Sequence, residues 1–167
     1  VHDGSRFAII CGGGKTAREY QSAASRVVHA VPEDLDWLGI HATRLNAHLM
    51  RTIFRELAHA KVIKNPTEKI RLKESERVVV AAGWKPGWST DYDAVLFAKN
   101  LGAKTVINIT NTDYVYDKDP TKFSDAKPLR RISWKGFRKL IGVSRWSPGL
   151  NTPFDPVAAK VAEKLKL

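Results

Sequence analysis

Three consecutive glycines followed by two cationic residues form the clearest chemical pattern in the chain. Gly12, Gly13 and Gly14 come directly after an apolar run rich in β-branched residues, and a helical pattern follows with Lys15 and Arg18 in its first turn. The start of such a helix presents free backbone N–H groups at the positive end of the helix dipole, which stabilises an anion. A tight turn that needs glycine only for its backbone angles is the alternative. Two cations beside three glycines favour a phosphate site, because Arg can bind phosphate through two hydrogen bonds.

A second loop with binding chemistry spans residues 83–91, GWKPGWSTD. It combines two glycines and a proline with Lys85 and a polar Ser-Thr-Asp helix start. Hydroxyl and N–H groups at a helix start bind a phosphate or a base edge, although capping of the helix would use the same groups. The carboxylate of Asp91 suits a magnesium ion or the orientation of reacting groups. Trp84 and Trp88 offer flat surfaces for a nucleobase, and core packing remains the alternative for either ring.

A third loop, residues 111–120, is rich in aspartate and tyrosine. It holds Asp113, Asp117 and Asp119. The glycine and the distal glutamate of a calcium-binding EF-hand are missing, while Asp and Asn also favour ordinary turns. A carboxylate that accepts from a nucleotide ribose, with a tyrosine against the base, is the interpretation we prefer.

Apolar runs and helical periodicities predict the elements that position these loops. Strands are expected at residues 6–11, 77–82 and 104–110. Helices are expected at residues 14–29, 34–59, 90–101, 133–141 and 155–166. Residues 60–76 are predicted to form a loop with a short strand near 62–63, and residues 144–152 another loop. Thr90 and Asp93 predict a capping box at the start of the 90–101 helix, and Gly102 is expected to end it.

The order of these elements predicts how the loops meet. Continuous apolar strands that alternate with helices indicate a parallel sheet with helices on both faces. Right-handed crossovers bring the three strand ends to one edge of the sheet, where open α/β sheets bind ligands. We therefore expect the three loops to converge.

Composition bounds the class of protein. With 167 residues, 43% of them hydrophobic, we expect a single domain over residues 1–167. No membrane span or signal peptide is predicted, and the only cysteine, Cys11, is expected to be a buried structural thiol. The five histidines form no zinc-type pair, so no metal site built by the protein is expected. A cytoplasmic protein is the resulting expectation.

The net positive charge bears on which class of partner the protein binds. The net charge is +11, from 28 Lys and Arg against 17 Asp and Glu. These basic residues are scattered and accompany no nucleic-acid-binding motif, so we expect no nucleic acid partner. A basic surface also attracts nucleotides and polyphosphates.

Five ordered motifs together closely resemble the uridylate (UMP) kinases, in particular the archaeal type within the amino acid kinase family. They are GGGKTAR (12–18), LDWLGIHATRLNA (35–47), GWKPGWSTDYDAVLFA (83–98), TNTDYVYDKDP (110–120) and NTPFDPVAAK (151–160). The resemblance implies a three-layer αβα sandwich around a mostly parallel sheet, usually assembled as a homohexamer. It implies Mg²⁺-dependent transfer of the γ-phosphoryl group from ATP to UMP, which gives UDP for pyrimidine nucleotide biosynthesis. We expect this chain to lack the first and last strands of that fold, and with the first strand a lysine- and glycine-rich ATP phosphate loop.

The resemblance also implies roles for residues at matching positions. Gly13 would contact the UMP phosphate, Asp36 the UMP ribose, and Gly14 and Arg18 the phosphates between the two nucleotides. The loop that would close over UMP consists of Trp84, Lys85, Pro86, Gly87, Trp88, Ser89 and Thr90. The residues that would hold ATP are Thr110, Tyr116 and Asp119. Arg18 and Asp91 are the candidate catalytic residues.

Three positions depart from the family pattern, and two other functions stay open. Trp84 stands where the family commonly has a small hydroxyl residue, Ser89 replaces threonine, and Tyr114 replaces glycine. One alternative is a kinase of the same fold with another acceptor, such as a carbamate, an amino-acid carboxylate or isopentenyl phosphate. The other is a non-catalytic protein of the same fold that binds or stores a nucleotide or oxyanion.

Overall fold

The computed structural model describes residues 4–110, 112–145 and 152–167. The elements in chain order are β1 (Phe7–Ile10), α1 (Gly14–Val27), α2 (Pro32–Ile53), β2 (Val78–Ala81), α3 (Thr90–Leu101), β3 (Val115–Tyr116), β4 (Pro128–Leu129), α4 (Trp134–Ile141) and α5 (Pro156–Leu165).

The central sheet is built on β2, whose four residues are all buried. β1 pairs with it in parallel, with Phe7 opposite Val78 and Ile10 opposite Ala81. On its other side the chain forms isolated parallel bridges at Ala58 and Ile63. The short strand predicted near residues 62–63 is thus present as a single bridge.

The side chains of β2 alternate between the two faces of the sheet, and all four are buried. Both faces are therefore covered by helices. Val78 and Val80 pack in one cluster with Ala47 of α2. Val79 and Ala81 pack in another with Phe97 of α3. This arrangement is the predicted αβα sandwich.

The last two helices extend the layer formed by α3. α5 packs against both α3 and α4, and Val95, Phe137 and Phe154 are buried in their shared cluster. Ser133 and Asp155 cap α4 and α5, because each side chain accepts hydrogen bonds from first-turn N–H groups. Both helices lie within a residue of their predicted bounds. No helix in the described ranges is long and apolar enough to span a membrane.

The predicted strand at residues 104–110 is wrong. No strand forms there, and the side chains of Ile107 and Ile109 are 77% and 90% exposed. A strand needs a hydrogen-bonded neighbour as well as β-branched residues. None of the described segments pairs with this one. A two-stranded antiparallel sheet of β3 and β4, which the sequence did not predict, comes after it instead.

Two helix details also differ from prediction. α2 ends at Ile53 instead of residue 59. The following residues, through Ala58, lead to the edge of β2 instead of continuing the helix. There the N–H groups of Arg77 and Val78 both donate to the carbonyl oxygen of Leu57. The capping box at Thr90 and Asp93 is wrong too, since Ser89 is the N-cap residue and its Oγ accepts from the Tyr92 N–H.

Candidate active site

The glycine turn and the start of α3 meet at one edge of the sheet. β1 and β2 are parallel neighbours, so the chain leaves both at the same edge. A Cβ placed on Gly12 would lie 3.7 Å from Oγ1 of Thr90. Two of the three loops predicted to converge therefore do so.

Close packing fixes the glycine turn. A Cβ on Gly13 would lie 2.5 Å from Cβ of Ala17 and 3.3 Å from the carbonyl oxygen of Gly39, so no larger residue fits there without a shift. The Asn46 side chain on α2 donates to the carbonyl oxygens of Gly12 at 2.7 Å and Gly13 at 3.3 Å. Sequence reasoning missed Asn46, which lies inside a helical motif with no sign of its partner.

The first turn of α1 is open to an anion. Its N-cap residue, Gly13, provides no side-chain hydrogen bond to the free N–H groups, and the turn holds no acidic residue. Gly14 has φ +57°, a left-handed backbone that glycine adopts easily. Lys15 and Arg18 are both exposed, and Lys15 forms a 3.5 Å surface ion pair with Glu19. Uncapped N–H groups beside two cations suit a phosphate.

Asp36 lies against the loop between β2 and α3. Its Oδ2 accepts a 2.8 Å hydrogen bond from the backbone N–H of Gly87. Gly87 has φ +82°, so glycine relieves backbone strain at the tip of this loop. Asp36 and this loop, assigned to one ligand by resemblance, are thus in direct contact.

The aromatic rings of the loop pack on each other. The rings of Trp84 and Trp88 are 5.9 Å apart, and Trp88 lies 4.3 Å from Tyr92. Nζ of Lys85 lies 4.2 Å from the Trp84 ring centroid and 5.4 Å from that of Trp88, within cation–π range. Both tryptophans are only half-buried. Neither ring belongs to the buried core clusters, so both remain available to a ligand.

Three side chains that sequence reasoning missed hold the start of this loop. Oγ1 of Thr43 accepts from the Gly83 N–H at 2.8 Å, and Oδ2 of Asp93 accepts from the Trp84 N–H at 3.1 Å. Arg44 donates to the Trp84 carbonyl oxygen at 3.4 Å. Asp93 is fully buried, and desolvation raises its pKa to about 7. An acid in a first helical turn usually indicates capping, so no local pattern pointed to this role.

Asp91 contacts the start of α5. Its Oδ2 accepts a 2.9 Å hydrogen bond from the Asp155 N–H, and Oγ of Ser89 donates to Asp155 at 2.5 Å. Burial is the main cause that raises the pKa of Asp91; the Asp155 carboxylate raises it further, against the lowering effect of the Asp155 N–H. Asp155, missed as a site residue, joins the starts of two helices.

The three residues assigned to ATP have local contacts. Thr110 bonds with Thr112, and Tyr116 pairs with Pro128 in the small antiparallel sheet. Asp119 accepts from the side chain and N–H of Thr121, and these hydrogen bonds lower its pKa. Within the described ranges, none of these contacts joins them to the glycine turn. Asn111 and most of the predicted loop at residues 144–152 lie outside the described residues.

The described residues contain no cluster of side chains that could hold a metal ion without other ligands. Within residues 4–110, 112–145 and 152–167 no group of three or more His, Cys, Asp or Glu side chains is arranged to hold an ion. A metal here would need oxygen atoms from a bound molecule as well.

Comparison with known proteins decides the family. The model of the amino acid kinase family matches residues 1–167. The chain belongs to this family. This member of the family is 40% identical over its whole length to the uridylate kinase of Sulfurisphaera tokodaii, of which it covers 74%. It is 38% identical to the uridylate kinase of Pyrococcus abyssi, over 96% of the chain and 71% of that protein.

Comparison with solved structures gives the same fold. The crystal structure of uridylate kinase from Archaeoglobus fulgidus matches with a TM-score of 0.83 at 36% identity, over 98% of this chain and 73% of that one. The UMP kinase of Bacillus anthracis matches with a TM-score of 0.65 at 17% identity, over 92% of this chain and 65% of that one, and shows the shared fold alone. The resemblance to uridylate kinases and the sandwich fold, both predicted from the sequence, are confirmed.

Proposed function

We propose that this member of the amino acid kinase family transfers the γ-phosphoryl group of ATP to UMP and so produces UDP for pyrimidine nucleotide biosynthesis. The observation that carries this proposal is the uncapped, cationic start of α1 at the sheet edge, beside the start of α3 and its loop held by Asp36. The relatives named uridylate kinase support the choice of acceptor. We further propose that residues 1–167 form one domain and that the enzyme works in the cytoplasm, where ATP and pyrimidine nucleotides are available.

UMP occupies the side of the site formed by α2 and the loop before α3. Gly13 and the N–H groups of α1 receive its phosphate, since a helix start without a side-chain cap needs an acceptor. Asp36 accepts from the ribose, and its contact with Gly87 keeps the loop close. The residues of that loop that contact UMP are Trp84, Lys85, Pro86, Gly87, Trp88, Ser89 and Thr90.

Phosphoryl transfer requires mainly positioning and neutralisation of charge. Gly14 and the exposed Arg18 contact the phosphates between the two nucleotides, where positive charge stabilises the transition state. Asp91 orients this centre from the first turn of α3, where its contact with Asp155 fixes it. No protein nucleophile is needed.

ATP brings its magnesium ion with it. Magnesium in kinases is usually held by one or two carboxylates together with phosphate oxygens, and it neutralises the phosphate charge. Asp91 fits this use, because it lies in the first turn of α3 and its carboxylate is held in place through Oδ2 by the Asp155 N–H. We assign the remaining ATP contacts to Thr110, Tyr116 and Asp119.

A direct assay separates this function from its alternatives. ADP release from ATP and Mg²⁺ is measured by a coupled assay with the full-length protein and UMP, CMP or acetylglutamate as acceptor. We expect turnover with UMP at a kcat/KM at least about tenfold above either other acceptor. Preference for acetylglutamate would indicate another acceptor class, and nucleotide binding without turnover would indicate a storage or binding protein.

We also propose a homo-oligomer, with a hexamer as the expected assembly. Its support is an exposed apolar stripe on α2, formed by Leu45, Leu49 and Ile53, each at least 60% exposed. Residues four apart share one helix face. Apolar side chains grouped on a surface are typical of interfaces.

A further inference from the structure

Side chains form hydrogen bonds with both polar backbone groups of Trp84. Its N–H donates to Oδ2 of Asp93 at 3.1 Å, and its carbonyl oxygen accepts from Arg44 at 3.4 Å. One residue earlier, the Gly83 N–H donates to Oγ1 of Thr43 at 2.8 Å. Side chains of α2 and α3 thus fix the point where the chain leaves β2 and enters the loop.

The stability of the fold alone does not explain why an aspartate is buried at position 93. The residue has no exposed surface, and its Oδ1 has no hydrogen-bond partner among the described residues. Burial of a polar oxygen without a hydrogen-bond partner costs free energy, so Asp93 stabilises the core less than an apolar side chain of similar size would. The single hydrogen bond described for its side chain is with the loop backbone, which indicates a role in positioning that loop.

Because the chain is continuous, the position of the Trp84 backbone limits where the next four residues of the loop can lie. The Trp84 ring packs on Lys85 and Trp88. Between these two residues the loop reaches Gly87, whose N–H is bound by Asp36. The loop is therefore held at its start by Asp93 and at its tip by Asp36, and its aromatic rings are anchored through these two points.

We propose that Asp93 is a positioning residue for the acceptor nucleotide: by holding the Trp84 N–H it places the Trp84–Trp88 segment against the bound nucleoside monophosphate. This inference rests on the proposed function, since it assigns that loop to UMP. Asp93 acts through the loop backbone and does not contact the reacting atoms. Its loss therefore weakens binding of the acceptor more than binding of ATP.

The test compares three variants of the full-length protein. Asp93→Ala removes the acceptor for the Trp84 N–H, whereas Asp93→Asn keeps an oxygen there. Asn100→Ala is the matched control, because Asn100 lies at the other end of α3 and donates to the carbonyl oxygens of Pro66 and Glu68. Circular dichroism checks that each variant folds, and Asp93→Ser replaces the alanine variant if that one does not.

We expect Asp93→Ala to raise KM for UMP at least about tenfold while KM for ATP changes less than about twofold. Asp93→Asn should restore KM for UMP to within about threefold of the unchanged protein, and Asn100→Ala should alter neither KM. Equal changes in both KM values, a fall in kcat alone, or an asparagine variant as impaired as the alanine variant would overturn the inference. An unchanged protein without activity on UMP would overturn the proposed function, and this inference with it.

Discussion

At the scale of single residues, the site depends on how closely helices approach the glycine turn. Gly13 has φ −77° and ψ −26°, a backbone that any residue adopts. Glycine is required there because of space, since Cβ of Ala17 and the carbonyl oxygen of Gly39 leave none for a side chain. The missing side chain also leaves the N–H groups of α1 accessible. One residue thus serves both the packing of α1 on α2 and the proposed phosphate site.

Gly13→Ala should therefore destabilise the protein and impair turnover together. The added methyl group overpacks the contact between α1 and α2, at a cost of about 1–3 kcal/mol in the free energy of unfolding. Urea unfolding measures this change, and Gly12→Ala is the control because its Cβ would meet only Oγ1 of Thr90 at 3.7 Å. If both variants lose the same stability, close packing at Gly13 is not the cause.

The residues of the site differ in how far the sequence reveals them. Gly13 and Gly14 come after an apolar run and precede cations, so local pattern alone predicts a helix start that binds an anion. Asp93 shows no such pattern, because its partner, the Trp84 N–H, becomes apparent only when the loop folds back. Local sequence predicts contacts within a turn, whereas contacts between elements depend on packing that no short motif contains.

At the scale of elements, the segment beside β2 is held by a buried carboxylate. Oε2 of Glu76 lies 2.9 Å from Nδ1 of His59 and accepts from the Lys73 N–H at 2.9 Å. It joins the turn before β2 to the chain that runs along the edge of β2. The hydrogen bond with His59 is the main cause that lowers the pKa of Glu76 below its usual 4.5.

Glu76→Gln should remove a pH-dependent part of the stability. Because the folded-state pKa is lowered, the stabilisation is present above about pH 4.5 and is lost as pH falls through the folded-state value. Urea unfolding at pH 7 should show a less stable variant, and the difference from the unchanged protein should shrink towards pH 3. The exposed neighbour Glu74, changed to Gln, should show no such dependence. A stability difference that stays constant with pH would contradict the prediction.

The elements themselves can be predicted from the sequence where a local signal ends them. Ser89 and Gly102 bound α3 as a cap and a left-handed glycine, and the predicted range 90–101 is confirmed. Residues 104–110 have strand composition but no described partner, so propensity without pairing led to a wrong element. The end of α2 was misplaced for a related reason, since the chain past Phe54 hydrogen-bonds to β2 instead of continuing the helix.

At the scale of the whole molecule, the αβα layers result from alternating strands and helices, but surface patterns carry separate information. The periodicity of α2 combines a buried face, with Ile40 and Ala47, and an exposed apolar stripe of Leu45, Leu49 and Ile53. A hydrophobic pattern alone does not distinguish these two faces. The structure separates them, because the first is buried inside the fold while the second faces outward.

Replacement of two stripe residues by charge, Leu45→Glu with Leu49→Glu, should dissociate the proposed oligomer. Both side chains are at least 60% exposed, so the change removes apolar area from the surface and leaves the core clusters intact. Sedimentation velocity or light scattering measures the mass of the assembly, and urea unfolding checks that the subunit stays folded. Leu140→Glu, an exposed position on α4, is the control and should leave the assembly unchanged. Dissociation by the control alone would place the interface on the opposite layer, and a protein that is monomeric before any substitution would refute the oligomer.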